Sequence, residues 1–461
     1  MENSTSTSDN TAKNENSMLY FVLLGFIFFF QYFSKSKEVL TKFDPVQKKI
    51  GDKLFWKFLI VLQLGKCAQW ALSPYHFEFF ESYHHYSHST IAKLMALSFL
   101  SSSFIGTLIA GYINDNKKKS RACVLYGVTM ILSALLRIIK NDICIAISQI
   151  VFGLSSSMLY SSFENWFVTQ CNRDISDKET RDAVMTNSFE KNAIADAVSA
   201  MATNFIVSRI KKIYGITSPI FVSTFIAFIV IILVSILYTD SNDDTKSSST
   251  PSKKNSLFSN ILRTTSYISS HPIIFLIGLT ESLIFSSLHI FGFVWTPTLK
   301  ELNPSMDNGK VFTMMMMGFM AGGTSFRVLY SYYSGNAMNI ARTLGLFASI
   351  GLLLSIIRVD FNNVVYGFLC YEAAIGMFYP CYSKIKAELL PKEHRGTMMI
   401  LFKMPFNVMV AALFFGMKNW FDIKEMRVIA FAFVLIAFTI QLVAFKGEKK
   451  EEKKEEKKKN N

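Results

Sequence analysis

ITSPIFVSTFIAFIVIILVSILY, residues 216–238, is the stretch on which the fold turns. It holds no Asp, Glu, Lys or Arg, and as a helix it is long enough to cross the roughly 30 Å hydrocarbon layer of a bilayer. A helix can do so because it satisfies its own backbone hydrogen bonds where no water is available. Comparable stretches lie on both sides of it. Upstream they fall near 55–73, 90–112, 122–139, 144–168 and 188–207; downstream near 272–294, 310–333, 338–358, 363–385, 397–417 and 427–445. A further apolar segment at 18–33 lacks a basic leader and a small-residue cleavage site, so it reads as a retained span and not as a signal peptide. So many spans leave too little chain for a soluble core, and the sequence predicts an all-α polytopic membrane protein.

Composition agrees. The 461 residues are 51% hydrophobic, with 43 Phe and 21 Met. The net charge of +14 sits mostly between the spans, where Lys and Arg set topology and meet anionic lipid. No nucleic-acid recognition module fits between the spans, so nucleic acid is not an expected partner. The six cysteines are scattered without a CxxC spacing, which supports neither a disulfide framework nor a zinc knuckle.

Charge also orders the chain. Residues 1–17 are polar and read as a disordered N-terminus, followed by the extra span 18–33. The basic stretch 34–54 reads as cytoplasmic, and alternate gaps thereafter are rich in Lys or Arg: 114–121, the polar linker 239–270, 383–395 and the Lys/Glu tail 446–461. The expected organisation is a six-helix bundle at 55–238, the linker as a flexible connector, and a second six-helix bundle at 271–445. The N-terminus then lies outside and the C-terminus in the cytoplasm. Segment 188–207 is the weakest span, interrupted by Glu190, Lys191 and Asp196, but the charge alternation requires it. Similar sequences after the second span of each bundle, at 111–116 and 331–336, fit paired repeats.

Gly111-x-x-x-Asp115 follows the second span of the first bundle. It resembles the loop signature of the major facilitator superfamily, with Lys118 in place of the second glycine and Lys119 in place of an arginine. Gly111, Asp115 and Lys119 are therefore expected to form the conformational loop motif. Four later stretches carry a closer resemblance: Tyr160-Ser-Ser-Phe-Glu164-Asn-Trp166; Thr280-Glu281-Ser-Leu-Ile-Phe285 with Phe293-Val-Trp295-Thr-Pro297; Tyr371-Glu372-Ala-Ala-Ile-Gly376-Met-Phe-Tyr-Pro380; and Phe402-Lys403-Met-Pro405. Together they are similar to the molybdate-anion transporter family of that superfamily. The resemblance implies two six-helix bundles related by a pseudo-twofold axis, an extra N-terminal transmembrane helix, a molybdate or similar oxyanion as partner, and the cell membrane as location. Lys403 stands where that family has arginine, which keeps the charge and loses the bidentate fork.

Ionisable residues inside spans usually face a cavity or a partner. Lys57 and Arg137 lie near span ends and are expected to snorkel to the interface. Lys66, Arg327 and Lys403 lie in the interior of three spans and are the candidate substrate-binding cations, since a divalent oxyanion needs fixed positive charge and donors in a dehydrated cavity. The plainer reading is that each neutralises a carboxylate. Glu164, Glu281 and Glu372 are either coupling carboxylates or permanent ion-pair partners, and Lys66 is placed to meet Glu281 across the pseudo-symmetry axis. Four of the seven histidines crowd into residues 73–90; a solvated loop is the expectation there, and no metal or cofactor is assigned. No catalytic set and no phosphate-binding loop is present in the sequence, which excludes the common enzyme classes and ATP drive. The expected function is secondary import of molybdate by alternating access. The alternatives are another anion such as sulfate, or a non-transporting sensor or scaffold.

Overall fold

The computed structural model describes residues 45–106, 119–238, 257–333, 336–357, 360–391, 395–417 and 421–444. The expected segments 1–17 and 18–33, the tail 446–461, and Gly111 and Asp115 of the loop motif lie outside the described residues. Lys119, the motif's cation, opens a helix and is half-buried.

Among the described residues there are fourteen α-helices and no β-strand. They are α1 Pro45–Leu72, α2 His76–Ser82, α3 His88–Leu100, α4 Lys119–Leu136, α5 Asp142–Asp174, α6 Lys178–Tyr214, α7 Ser218–Leu237, α8 Leu257–Ser270, α9 Pro272–Leu302, α10 Asn308–Tyr332, α11 Ala337–Ile357, α12 Phe361–Leu389, α13 Arg395–Gly416 and α14 Ile423–Ala444. Eight of these segments are long and apolar enough to cross a membrane by length and composition alone, including the stretch around α7.

Packing divides the helices into two bundles of six. In the first, α1 packs on α5, α6 and α7, α3 on α5, and α4 on α5 and α7. The second repeats the pattern: α9 packs on α12, α13 and α14, α10 on α12, and α11 on α12 and α14. The contacts between bundles are themselves a related pair, fifth span to second (α6 with α10) and second to fifth (α3 with α13). That reciprocity is the mark of a pseudo-twofold axis between the bundles.

Small residues make the tight contacts. A Cβ on Gly322 would come within 1.8 Å of the Ala373 carbonyl oxygen, and one on Gly376 within 1.9 Å of the Phe319 carbonyl oxygen, so α10 and α12 touch backbone to backbone. Gly153 of α5 meets the Ser98 carbonyl oxygen of α3 in the same way.

Three boundaries differ from the sequence reading. α1 begins at Pro45 and so absorbs the end of the basic stretch, because Ile50 and Leu54 continue its apolar face and Pro is favoured at a helix start. The linker is helical over Leu257–Ser270, where Leu257, Phe258, Ile261, Leu262 and Ile268 recur at helical spacing. Ile268 is buried in a cluster with Ile274, Leu390, Met398 and Phe402, so this helix docks on the second bundle. Finally, the weak span is part of a continuous 37-residue helix, α6, that packs on α1 and α10.

Candidate functional site

The polar residues inside the bundles collect where the two bundles face each other. On the first side, the Lys66 ammonium of α1 lies 2.6 Å from both carboxylate oxygens of Asp196 on α6. Gln63, one turn earlier on α1, donates its side-chain amide to Asp196 at 2.6 Å and to the Asn192 side-chain oxygen at 2.9 Å. Lys66 Nζ also sits 5.9 Å from the centre of the Tyr160 ring of α5. The spacing explains the alignment: 63 and 66 share a face of α1, as 192 and 196 share a face of α6.

On the second side, Glu281 of α9 is 4% exposed and is gripped by the Lys386 ammonium of α12. Ser282 donates to the Phe402 carbonyl oxygen at 2.6 Å, which fixes α13 against α9 one residue before Lys403. Glu372 is buried on α12, and among the described residues it has no hydrogen bond or ion pair. Its neighbour Tyr371 is hydrogen-bonded to Ser287 at 3.0 Å.

Tyr160 and Tyr379 hold equivalent places on the two sides. They come from the fourth span of each bundle. Both lie mid-helix, yet 53% and 41% of their surfaces are accessible. An open space therefore separates the bundles at this level. Glu164, one turn further along the same face of α5 as Tyr160, is exposed.

The space is closed at one end, where residues 73–87 meet the loops of the second bundle. Glu78 accepts from Lys211 at 2.5 Å and from Asn308 at 2.9 Å, while Glu81 receives Lys300 at 3.3 Å. Ser208 of α6 donates to Asp307 at 2.7 Å, and Lys212 lies 3.1 Å from the same carboxylate. Burial alone would raise the Asp307 pKa, but the Ser208 hydroxyl, Lys212 and the Lys310 amide hold it below the usual carboxylate value. Gly309 completes the seal: a Cβ there would lie 2.3 Å from the Tyr75 hydroxyl and 2.9 Å from Ser208 Cβ. Ser89 donates to the Met417 carbonyl oxygen at 3.0 Å across the other bundle contact.

Several expectations change here. Lys66 and Glu281 do not pair with each other; each has a partner within its own bundle, Asp196 and Lys386. Arg327 and Lys403 lie on α10 and α13, and their side chains are outside the described residues. Lys57 donates to the carbonyl oxygen of Leu237, the last residue of α7, at 3.3 Å, whereas Arg137 is buried and does not reach out to an interface. Trp166 is a packing residue stacked on Tyr238 at 3.6 Å, Trp295 is buried, and Trp70 meets Phe312 of the opposite bundle at 5.8 Å. No group of residues suited to a metal is found among the described residues; His76 and His84 both meet Arg137, and His88 meets Glu81.

Lys386 escaped the sequence reading because it falls in a gap rich in charge. The apolar residues Ile385 and Leu389, four apart, were the available sign that α12 continues through it. Tyr160 and Tyr379 lay within the motifs that carry the family resemblance but were given no role, and Asp307 and Gly309 carried no signal of their own.

A family model described as sugar transporters with twelve transmembrane segments matches residues 19–370. The chain belongs to that major facilitator family. Among curated relatives of this major facilitator protein, a molybdate-anion transporter from Danio rerio is 24% identical over 400 residues, covering 80% of this chain and 81% of the relative. One from Xenopus tropicalis is 21% identical, covering 85% of each. Solved structures agree on the fold of this major facilitator protein. The nucleoside transporter NupG, in a mutant form, superposes with a TM-score of 0.68 at 10% identity, over 85% of this chain and all of that one. A peptide transporter of the POT family, in an auto-inhibited form, gives 0.66 at 10% identity, over 84% of this chain and 95% of that one. The protein is a membrane transporter and not an enzyme.

Proposed function

We propose that this protein is a secondary transporter that brings molybdate, or a tetrahedral oxyanion much like it, into the cytoplasm by alternating access. The observation that carries the reading is the likeness to proteins named molybdate-anion transporter over about four-fifths of the chain. The polar set between the bundles supports it, because a transported anion needs cations and donors in a space that solvent can reach from one end at a time. The end closed by Glu78, Asn308 and Asp307 is assigned to the outside, and the opposite, basic end to the cytoplasm, as the charge of the inter-span gaps requires. The chain then faces inward in this conformation, with its N-terminus outside, its C-terminus inside, and the cell membrane as its location.

Lys66, Arg327 and Lys403 are assigned to the substrate. Lys66 would exchange part of its bond to Asp196 for the anion, as suits a residue that can release its load. Glu372 is assigned to coupling, since it is a carboxylate buried within a span and has no ion pair among the described residues. Glu281, already held by Lys386, is a structural partner, and Glu164 lines the open side.

The test is uptake of molybdate into liposomes holding the full chain, with sulfate and tungstate as competitors. Saturable uptake is expected, retained in Lys403→Arg and reduced by about tenfold or more in Lys403→Ala, a loss of at least 1.4 kcal/mol of transition-state stabilisation. Well-inserted protein that takes up no molybdate under any proton or sodium gradient would sink the proposal. Sulfate uptake that molybdate fails to inhibit would move it to the sulfate reading.

A further inference from the structure

A pocket of about 230 Å³ opens where the first half of α1 meets the last turns of α5. Lys53 and Lys57 line it from α1, Arg173 and Asp174 from α5, and Trp166 and Gln170 form its buried floor. Its walls are fixed to each other. Phe58 of α1 stacks on Phe167 of α5 at 4.5 Å, and Gln47 of α1 accepts from the Asp177 amide, just beyond α5, at 2.9 Å. The charge in the pocket is unbalanced. Arg173 donates to Asp174 at 2.6 Å, which engages the one carboxylate lining the pocket. Lys57 gives one of its three ammonium hydrogens to the Leu237 carbonyl oxygen at 3.3 Å. Lys53 is exposed and has neither a hydrogen bond nor an ion pair among the described residues. Two positive charges are therefore left over, on the two lysines.

The surroundings set the depth of the pocket. α7 carries no charged residue and ends at Leu237, so Lys57 stands where hydrocarbon gives way to headgroups. Trp56 and Ile60, each beside one of the lysines on the surface of α1, are 58% and 48% exposed, and Ile236 of α7 is 68% exposed. Apolar surface of this extent is what acyl chains cover, and an exposed tryptophan is at home at their boundary with water. We infer that the pocket binds a phosphomonoester dianion, carried by an anionic lipid whose chains lie against Trp56, Ile60 and Ile236. The two unbalanced lysines match the charge of the dianion, and ammonium groups donate strong, charge-assisted hydrogen bonds to phosphate oxygens. The volume is several times the roughly 30 Å³ of a water, which admits a phosphate group. Basic pockets of this kind between transmembrane helices hold lipid headgroups. The site is distinct from the Lys66–Asp196 pair, since Lys57 and Lys66 are about 13 Å apart along α1. The orientation proposed above makes the leaflet the cytoplasmic one, whereas the binding rests on the pocket alone. A bound phosphate ties α1 to α5 at the end where the bundles are open.

The full chain, purified in detergent, would be melted with increasing dioctanoyl phosphatidic acid, dioctanoyl phosphatidylcholine or inorganic phosphate at constant ionic strength. A saturable rise in melting temperature of about 3 °C is expected with phosphatidic acid, as for any ligand that binds only the folded state, and none with phosphatidylcholine. Lys53→Gln combined with Arg173→Gln changes two exposed positions, so the lipid-free melting temperature should stay within about 2 °C of the parent while the rise is lost. Asp174→Asn removes the opposing charge and should reach the same rise at a lower phosphatidic acid concentration. An equal response to inorganic phosphate would keep the anion site and overturn lipid as its source. The site itself would be overturned by an equal rise with phosphatidylcholine, by a rise that the double variant retains, or by no rise with either phosphatidic acid or phosphate.

Discussion

Lys66 and Glu281 illustrate what a charge inside a span requires. Each is nearly buried, and each is held by an opposite charge from a helix of its own bundle, Asp196 and Lys386. The two pairs differ in exposure: 29% of the Asp196 side chain is accessible, against 5% for Glu281. The first pair therefore borders the open space and the second is sealed. Loss of one partner of a sealed pair strands a charge, at a cost of about 3–5 kcal/mol. Lys386→Ala is thus expected to reduce the yield of folded protein sharply, and Lys386→Ala with Glu281→Ala to restore it in part, as read by size-exclusion profile. Exchanging Lys66 and Asp196 should give a well-folded protein with uptake lowered by about tenfold or more, since the cation then stands on the wrong helix. Uptake equal to the parent would place Lys66 outside the substrate path. A third expectation concerns Glu372. In Glu372→Gln, uptake should lose the dependence on an external proton gradient that the parent chain shows. An unchanged pH profile would remove the residue from coupling.

At the scale of elements, glycine contacts carry the tightest geometry. Gly322 and Gly376 let α10 and α12 meet along their backbones, so Gly322→Val has nowhere to place its side chain. Overpacking of this kind costs about 1–3 kcal/mol or more, and thermal unfolding in detergent should shift down by several degrees. Gly318, Ala321, Gly322 and Gly323 crowd one stretch of α10, and small residues are what bring membrane helices close. α6 was legible in the sequence. Its own hydropathy is weak, but the alternation of basic gaps demands a crossing there. The helix bears Asn192 and Asp196 because it covers α1 and the open space, where polar side chains find partners. The amphipathic helix α8 was missed because its surroundings are polar and Ser-rich, although its apolar residues recur every three or four positions.

The whole molecule is closed at one end by contacts that are individually modest. Partly exposed ion pairs such as Lys300–Glu81 contribute about 0–1 kcal/mol each. The seal depends on several contacts acting together and on Gly309, where the bundles come closest at this end. A Gly309→Val substitution should keep the outer end from closing. In a background without native cysteines, a cysteine at position 160 is expected to be unreactive toward an impermeant thiol reagent added outside. It should become reactive once Gly309→Val is present. Equal reactivity in both would mean that this end does not gate access.

Hydropathy and charge are sums over neighbours along the chain. The sequence by itself therefore determined that the chain crosses a membrane many times, where most crossings lie, and which gaps are basic. Its motifs also carried the superfamily, and the repeat of spans anticipated two bundles. Which ionisable groups meet was decided only by the tertiary structure. A pairing such as Lys66 with Asp196, across 130 residues, depends on how each helix is rotated about its axis and which helices lie adjacent. Those are fixed by side-chain and glycine packing between helices distant in sequence, and no local pattern records them. Arg137 makes the same point. Its place near a span end favoured the interface, but the aromatic side chains of α2 and α5 fold over it and leave it buried.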